Sequence, residues 1–128
     1  MPEYLVQPDG LPPSNGYSHA VVFSGRMVAV SGQVPADAAG HVVGAGDVRA
    51  QLRQVFDNLA TALRSAGADM SDVVKLTVYL TDLDDLPTFR EVRDEYVAVA
   101  QPPASSLVQV AGLVNPLFKV EIDALAAI

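Results

Sequence analysis

The 128 residues contain no cysteine, which removes disulfides, thiolate catalysis and cysteine-based zinc sites together. Histidine is scarce. His19 precedes an apolar β-branched run and His41 sits among glycines, and neither has a second ligand at metal spacing. Both read as exposed or locally hydrogen-bonded, so no metal site and no His-based triad is expected. Lysine occurs only at Lys75 and Lys119, and the net charge is −7. Because nucleic-acid affinity comes largely from cations that neutralise phosphates, binding to RNA or DNA is disfavoured. Arg26, Arg49, Arg53, Arg64, Arg90 and Arg93 form no basic run; Arg49 and Arg53, a turn apart among apolar residues, read as a solvated helix face. No apolar run approaches the roughly 20 residues that span a bilayer. Met1-Pro2-Glu3-Tyr4 has no basic segment followed by an apolar run, so no signal peptide is expected and the expected location is cytoplasmic.

What is present is apolar. Half of the residues are hydrophobic, and a chain of this length is read as one domain, residues 1–128, able to bury roughly two thirds of its unfolded surface. That apolar content is high for a small monomer, so part of it is expected to face a partner chain.

Residues 1–16, broken by Pro and Gly, read as an irregular lead-in. Ala20 to Phe23 and Met27 to Ser31, separated by Ser24-Gly25-Arg26, predict a hairpin. Gln33 to Gly46 is a loop; Gly40, Gly44 and Gly46 lack phosphate-loop spacing and read as loop flexibility. Asp47 caps a helix whose apolar stripe runs from Val48 through Leu52, Val55, Phe56, Leu59 and Leu63, and Gly67 ends it. Val74, Leu76, Val78 and Leu80 alternate with polar residues, the period of a half-buried strand. Asp84 or Asp85 caps a second helix carrying Leu86, Phe89, Val92, Tyr96 and Val97, with Pro87 tolerated in its first turn. The cluster of Asp82, Asp84 and Asp85 is read as capping rather than cation binding. Ser106 to Leu113 and Phe118 to Ala124 read as two strands joined by a Val114-Asn115-Pro116 turn. The resulting order, β-β-α-β-α-β-β, predicts an α+β fold in which both helices cover one face of a mixed sheet. The other face is left for an oligomer to cover.

Glu121 is the most provocative residue. A carboxylate among Val120, Ile122 and Leu125 is costly to bury unless paired, which points to function. Alternation also puts it on one side with Lys119 and Asp123, which leaves an ordinary solvent-facing position open. Tyr17 follows the Asn15-Gly16 turn, and Gly32 in Ser31-Gly32-Gln33 allows close approach to backbone amides.

Taken together, these segments resemble the RidA/YjgF family, also labelled L-PSP endoribonuclease or translation-inhibitor-like. The resemblance covers nearly the whole chain. Its markers are Gly16-Tyr17-Ser18-His19-Ala20, Val30-Ser31-Gly32-Gln33-Val34-Pro35, Asn58-Leu59 with Ala66-Gly67, and Val73 to Asp82. Pro103-Ala104 with Ser106, and Val120-Glu121-Ile122, complete the set. The resemblance implies a chorismate mutase-like fold, a homotrimer with small-molecule clefts between subunits, and hydrolysis of reactive enamines and imines such as 2-aminoacrylate to a keto acid and ammonia, with no cofactor and no metal. It implies that an Arg binds the substrate carboxylate while a Glu and backbone groups position water. Position by position, the Glu is Glu121, the aromatic wall is Tyr17, and the backbone contact is Gly32 with Ser31. The Arg position holds Ser105. A hydroxyl replaces a bidentate, permanently charged fork, so activity on 2-imino acids is expected to be altered or lost. Leu107 stands where relatives often carry Cys. Arg90 stands where many carry an Asn that reaches a neighbouring subunit's cleft; it could supply the missing cation there, or simply pair with Asp94 four residues on.

Three function classes follow, in this order: a Rid-type imine or enamine deaminase acting on an unidentified substrate, a non-catalytic trimer that binds a small metabolite or a protein partner, and an endoribonuclease or translation inhibitor. The charge of −7 and the two lysines place the last one lowest.

Overall fold

The computed structural model describes residues 2–128; Met1, at the head of the segment read as a lead-in, lies outside the described residues. The elements are β1 (Glu3–Leu5), β2 (Ala20–Val22), β3 (Met27–Gln33), α1 (Val48–Ser65), β4 (Val73–Leu80), α2 (Leu86–Tyr96), β5 (Ala104–Gln109) and β6 (Val120–Ala127). A four-stranded mixed sheet has the order β3-β6-β4-β5, and β1 pairs with β2 in a separate two-stranded ribbon. Both helices pack on one face of the larger sheet, as the patterning predicts.

The apolar stripe of α1 meets the alternating faces of the central strands. Leu52, Val55, Phe56, Leu59 and Leu63 are fully buried, and so are Val78, Leu80, Val120 and Ile122. Each such side chain contributes about 1.5–3 kcal/mol by leaving water. Asp47 begins α1 as expected, its carboxylate accepting from the Ala50 amide at 3.1 Å, and Gly67 follows the helix end with φ +81°. At α2, Asp85 occupies the N-cap position without a side-chain bond; Asp82 instead accepts from the Asp84 amide and caps the 3-10 turn Leu83–Asp85 that leads into the helix.

Two expected pairings are corrected. Residues 20–23 and 27–31 do not form a hairpin. Ala20–Val22 pairs with Glu3–Leu5, inside the segment read as irregular, so the chain order gains a strand. The intervening turn is tied to the C-terminus: Arg26 N–H donates to the Ile128 carbonyl at 2.7 Å and Ile128 N–H donates back at 2.9 Å. A Cβ on Gly25 would lie 2.6 Å from that same Ile128 oxygen. The turn residues therefore serve a long-range contact rather than a local reversal. Similarly, the last two strands are not neighbours. β5 lies parallel to β4, through the α2 crossover, while β6 inserts antiparallel between β3 and β4. The segment around Val114-Asn115-Pro116 is a connection that passes β4, and the strands it joins begin and end elsewhere than the pattern suggested.

Candidate active site

The sequence-predicted residues fall into two groups on opposite faces of the sheet. Ser31, Gly32 and Glu121 form the first. Along β3, Val30 pairs with Ala124 and Gln33 with Ile122, so β3 takes three steps while β6 takes two, which puts a bulge at Ser31-Gly32. The bulge drives the Gly32 backbone against the Glu121 side chain. A Cβ on Gly32 would overlap the Glu121 carboxylate and lie 2.8 Å from its Cδ. Gly32 has no positive φ, so space and not backbone conformation demands glycine here.

Two amides hold this arrangement from the helix side. Asn58 of α1 donates to the carbonyls of Val34 at 3.1 Å and Ala36 at 2.9 Å, and accepts from Gln54, fixing the chain as it leaves the bulge. Fully buried Gln51 donates to Gly44 and Leu117 carbonyls and accepts from the Lys119 amide at 2.7 Å, fixing the approach to β6. Glu121 itself points to the open face. It sits beside Tyr79 in register, and Tyr79 donates to Asp123 at 3.2 Å. That bond, and then the charges of Asp123 and Glu121, push the Tyr79 phenol above its usual range. No hydrogen bond to the Glu121 carboxylate forms among the described residues, so its oxygens are free to meet a ligand or water.

Tyr17, Arg90 and Ser105 form the second group, around a cavity of about 240 Å³. Ser105 and Leu107 of β5 make one wall; Leu86, Phe89, Arg90 and Arg93 of α2 make the opposite one; Asn15 and Tyr17 close the end. Buried Ser18 brings Tyr17 here. Its hydroxyl donates to the Pro102 carbonyl at 2.6 Å and its amide to Pro103 at 3.0 Å, stapling the loop to the start of β5. The Tyr17 ring meets His19 edge-on, with centroids 5.2 Å apart, and His19 is bonded to the Pro12 carbonyl.

Arg93 is the residue that sequence reasoning missed. It is 6% exposed, bonded to the Asn15 carbonyl through Nη1 at 3.0 Å and to Asp94 through Nε at 3.0 Å, and its guanidinium lies 5.7 Å from the Phe89 ring centre. Gly16, at φ +71°, makes room for it; a Cβ there would overlap the guanidinium, 2.9 Å from Nη1. The usable signal was spacing: Arg93 follows Phe89 by four and Arg90 by three, on the buried side of α2. Asp94 thus pairs with Arg93, not with Arg90.

Residues 8–128 match the family described as Endoribonuclease L-PSP. The chain belongs to the RidA/YjgF family. Among similar proteins, Protein DfrA of Myxococcus xanthus is 43% identical over 128 residues, covering 98% of this chain and 96% of its own. The 3-aminoacrylate deaminase RutC of Acinetobacter baylyi is 35% identical over 126 residues, covering 98% of each. Among solved structures, the Rid family protein YyfB of Yersinia pestis superposes with a TM-score of 0.87 at 34% identity, covering 99% of this chain and 98% of that one. No helix of this Rid protein, among the described residues, is long and apolar enough to cross a membrane.

Proposed function

We propose that this Rid protein is a trimeric deaminase that hydrolyses a reactive enamine or imine to a carbonyl compound and ammonia. The observation that carries this reading is the Glu121 carboxylate, held against the Gly32 backbone at a bulge with its oxygens unbonded. One chain keeps Glu121 and the Tyr17 cavity on opposite faces of its sheet; subunit association would set one chain's Glu121 against another's Tyr17 cavity. Uncovered apolar surface supports association: Met27 and Val108 on the sheet strands are 61% and 47% exposed, and Val114 and Leu117 in the connection before β6 are 86% and 52% exposed.

In this reading an enamine tautomerises to its imine, gaining a proton at carbon and losing one from nitrogen, and water adds to the imine carbon. Glu121 takes a proton from that water as the C–O bond forms, then returns it to nitrogen. The carbinol O–H proton then passes through Glu121 to the same nitrogen as the C–N bond breaks, so that ammonia leaves and the oxygen becomes the carbonyl; the sum is imine plus water to carbonyl plus ammonia. Ser105 offers one neutral hydroxyl where the resemblance implies a guanidinium, so preference among imines differs from that of an Arg-bearing relative.

The test is ammonia release from enzymatically generated 2-aminoacrylate and 3-aminoacrylate, with the mass in solution measured by light scattering. Wild type should exceed Glu121→Gln by roughly a hundredfold or more, at a mass of three chains. Equal turnover by the two proteins would defeat the assignment.

A further inference from the structure

In a chain of net charge −7, the Tyr17–Ser105 cavity is lined by two of the six arginines and by no carboxylate. The two are not equivalent. Arg93 is buried and committed to Asn15 and Asp94. Arg90, half-buried on the same wall, has neither an ion pair nor a hydrogen bond among the described residues. Like charges three residues apart on a helix repel one another, and a guanidinium stays charged at any pH the fold survives. Asp94 answers one of these charges and leaves the other.

We propose that Arg90, backed by the fixed Arg93, is an anion receptor that takes the carboxylate of a small substrate or product inside this cavity. The receptor stands on α2, across the cavity from Ser105 on β5. This inference rests on the deaminase reading for the identity of the anion, but not for its binding. The carboxylate lies against the α2 wall, with the Phe89 and Leu107 side chains bounding its apolar part and the Ser105 hydroxyl donating one neutral hydrogen bond.

Binding of pyruvate, the keto acid formed from 2-aminoacrylate, tests this without turnover. Calorimetric or NMR titration of the intact oligomer should show saturable binding by wild type, weakening with salt, and none of uncharged pyruvamide. Arg90→Gln should weaken pyruvate binding about tenfold to a hundredfold, and Arg90→Lys should recover part of it. Arg64→Gln, which removes an equal charge from the exposed last turn of α1, should leave binding unchanged. The proposal is overturned by an Arg90→Gln affinity within twofold of wild type, by the absence of pyruvate binding, by equal binding of pyruvamide, or by inorganic phosphate binding more tightly than pyruvate. Arg90-dependent pyruvate binding in a protein with no deaminase activity would uphold the receptor and remove the catalytic reading.

Discussion

Around Glu121 the geometry is set by strand register, whereas around Tyr17 it is set by single side chains that bridge distant parts of the chain. A bulge in β3 and the antiparallel pairing of β6 put Gly32 and Glu121 in contact. Between Tyr17 and Ser105 the backbone pairing is a single isolated parallel bridge, Ser18 to Ala104, rather than a strand register. There, the Ser18 hydroxyl holds the Tyr17 loop to Pro102, the Arg93 guanidinium holds the Asn15 carbonyl, and Gly16 leaves the space for it. The first group belongs to the sheet and is as rigid as the sheet. The second depends on a few polar staples, which would allow the proposed cation to stand on α2 instead of β5 without disturbing the core. Under the proposed deaminase reading, the chemical step and the recognition step would be separated onto supports of different stiffness.

The two glycines probe the two supports directly, and the largest effect is expected at Gly32. Its backbone needs no special conformation, so Gly32→Ala acts by pushing the Glu121 carboxylate away. Turnover should fall roughly a hundredfold to ten-thousandfold, the range for loss of a positioned acid-base group, while Arg90-dependent pyruvate binding persists. Gly16→Ala should do the reverse. It places a side chain at positive φ, costing about 1–2 kcal/mol, and drives Arg93 from the cavity wall, so pyruvate binding should suffer more than the residual chemistry. If both variants lose binding and turnover in equal proportion, the separation of the two halves does not hold.

How far this could be read from the sequence follows the same division. The strand alternation of Val74, Leu76, Val78 and Leu80 and the stripe of α1 are local patterns, and both are buried as the periods require. Strand order is not local. β5 and β6 follow one another along the chain, yet β4 lies between them, because pairing is decided by which edges the α2 crossover leaves available. The bulge at Ser31-Gly32 and the pairing of Ala20–Val22 with Glu3–Leu5 were illegible for that reason. Pattern alone left Glu121 open between a functional carboxylate in an apolar strand and a polar face shared with Lys119 and Asp123; the family resemblance favoured the first. Arg93 was hidden by its type, since an arginine on a short amphipathic helix is ordinarily a surface residue, and its burial depends on Gly16 and Asn15 far away in sequence.

A smaller effect separates the staples themselves. Asn58 satisfies two carbonyls beyond the bulge and accepts from Gln54, so Asn58→Ala leaves several partners unbonded at once. Ser18→Ala strands one carbonyl, that of Pro102. Within the roughly 1–3 kcal/mol that an orphaned buried polar group costs, Asn58→Ala should lie at the top and Ser18→Ala at the bottom by chemical denaturation. Their functional effects should cross over: Asn58→Ala should lower turnover, and Ser18→Ala should weaken pyruvate binding through Tyr17 and Ser105. A loss of pyruvate binding in Asn58→Ala larger than in Ser18→Ala would contradict the assignment of each staple to its own half.

The smallest effect concerns the α2 wall, which rests on α1. Arg53 pairs with Glu95 at 3.2 Å, Arg49 pairs with Glu91, and the Tyr96 ring stacks on Phe56 with centroids 4.8 Å apart. The Tyr96 hydroxyl donates to Asp57 at 2.8 Å. Burial first, and then this bond to Asp57, push the phenol up to about 12. A folded-state value above the unfolded one, about 10, means the neutral phenol is favoured by folding. Its contribution is therefore complete below about pH 10 and disappears as pH rises through about 12. Melting temperatures measured across this window should fall for wild type and fall less steeply for Tyr96→Phe, which has no phenol to ionise. Tyr4 and Tyr79 are also raised, so the slope should be reduced rather than abolished. Because Tyr96 anchors the helix that carries Arg90, pyruvate binding should weaken over the same alkaline interval in wild type, and the loss should be smaller in Tyr96→Phe. An identical alkaline loss of binding in both proteins would show that the α2 wall does not depend on this contact.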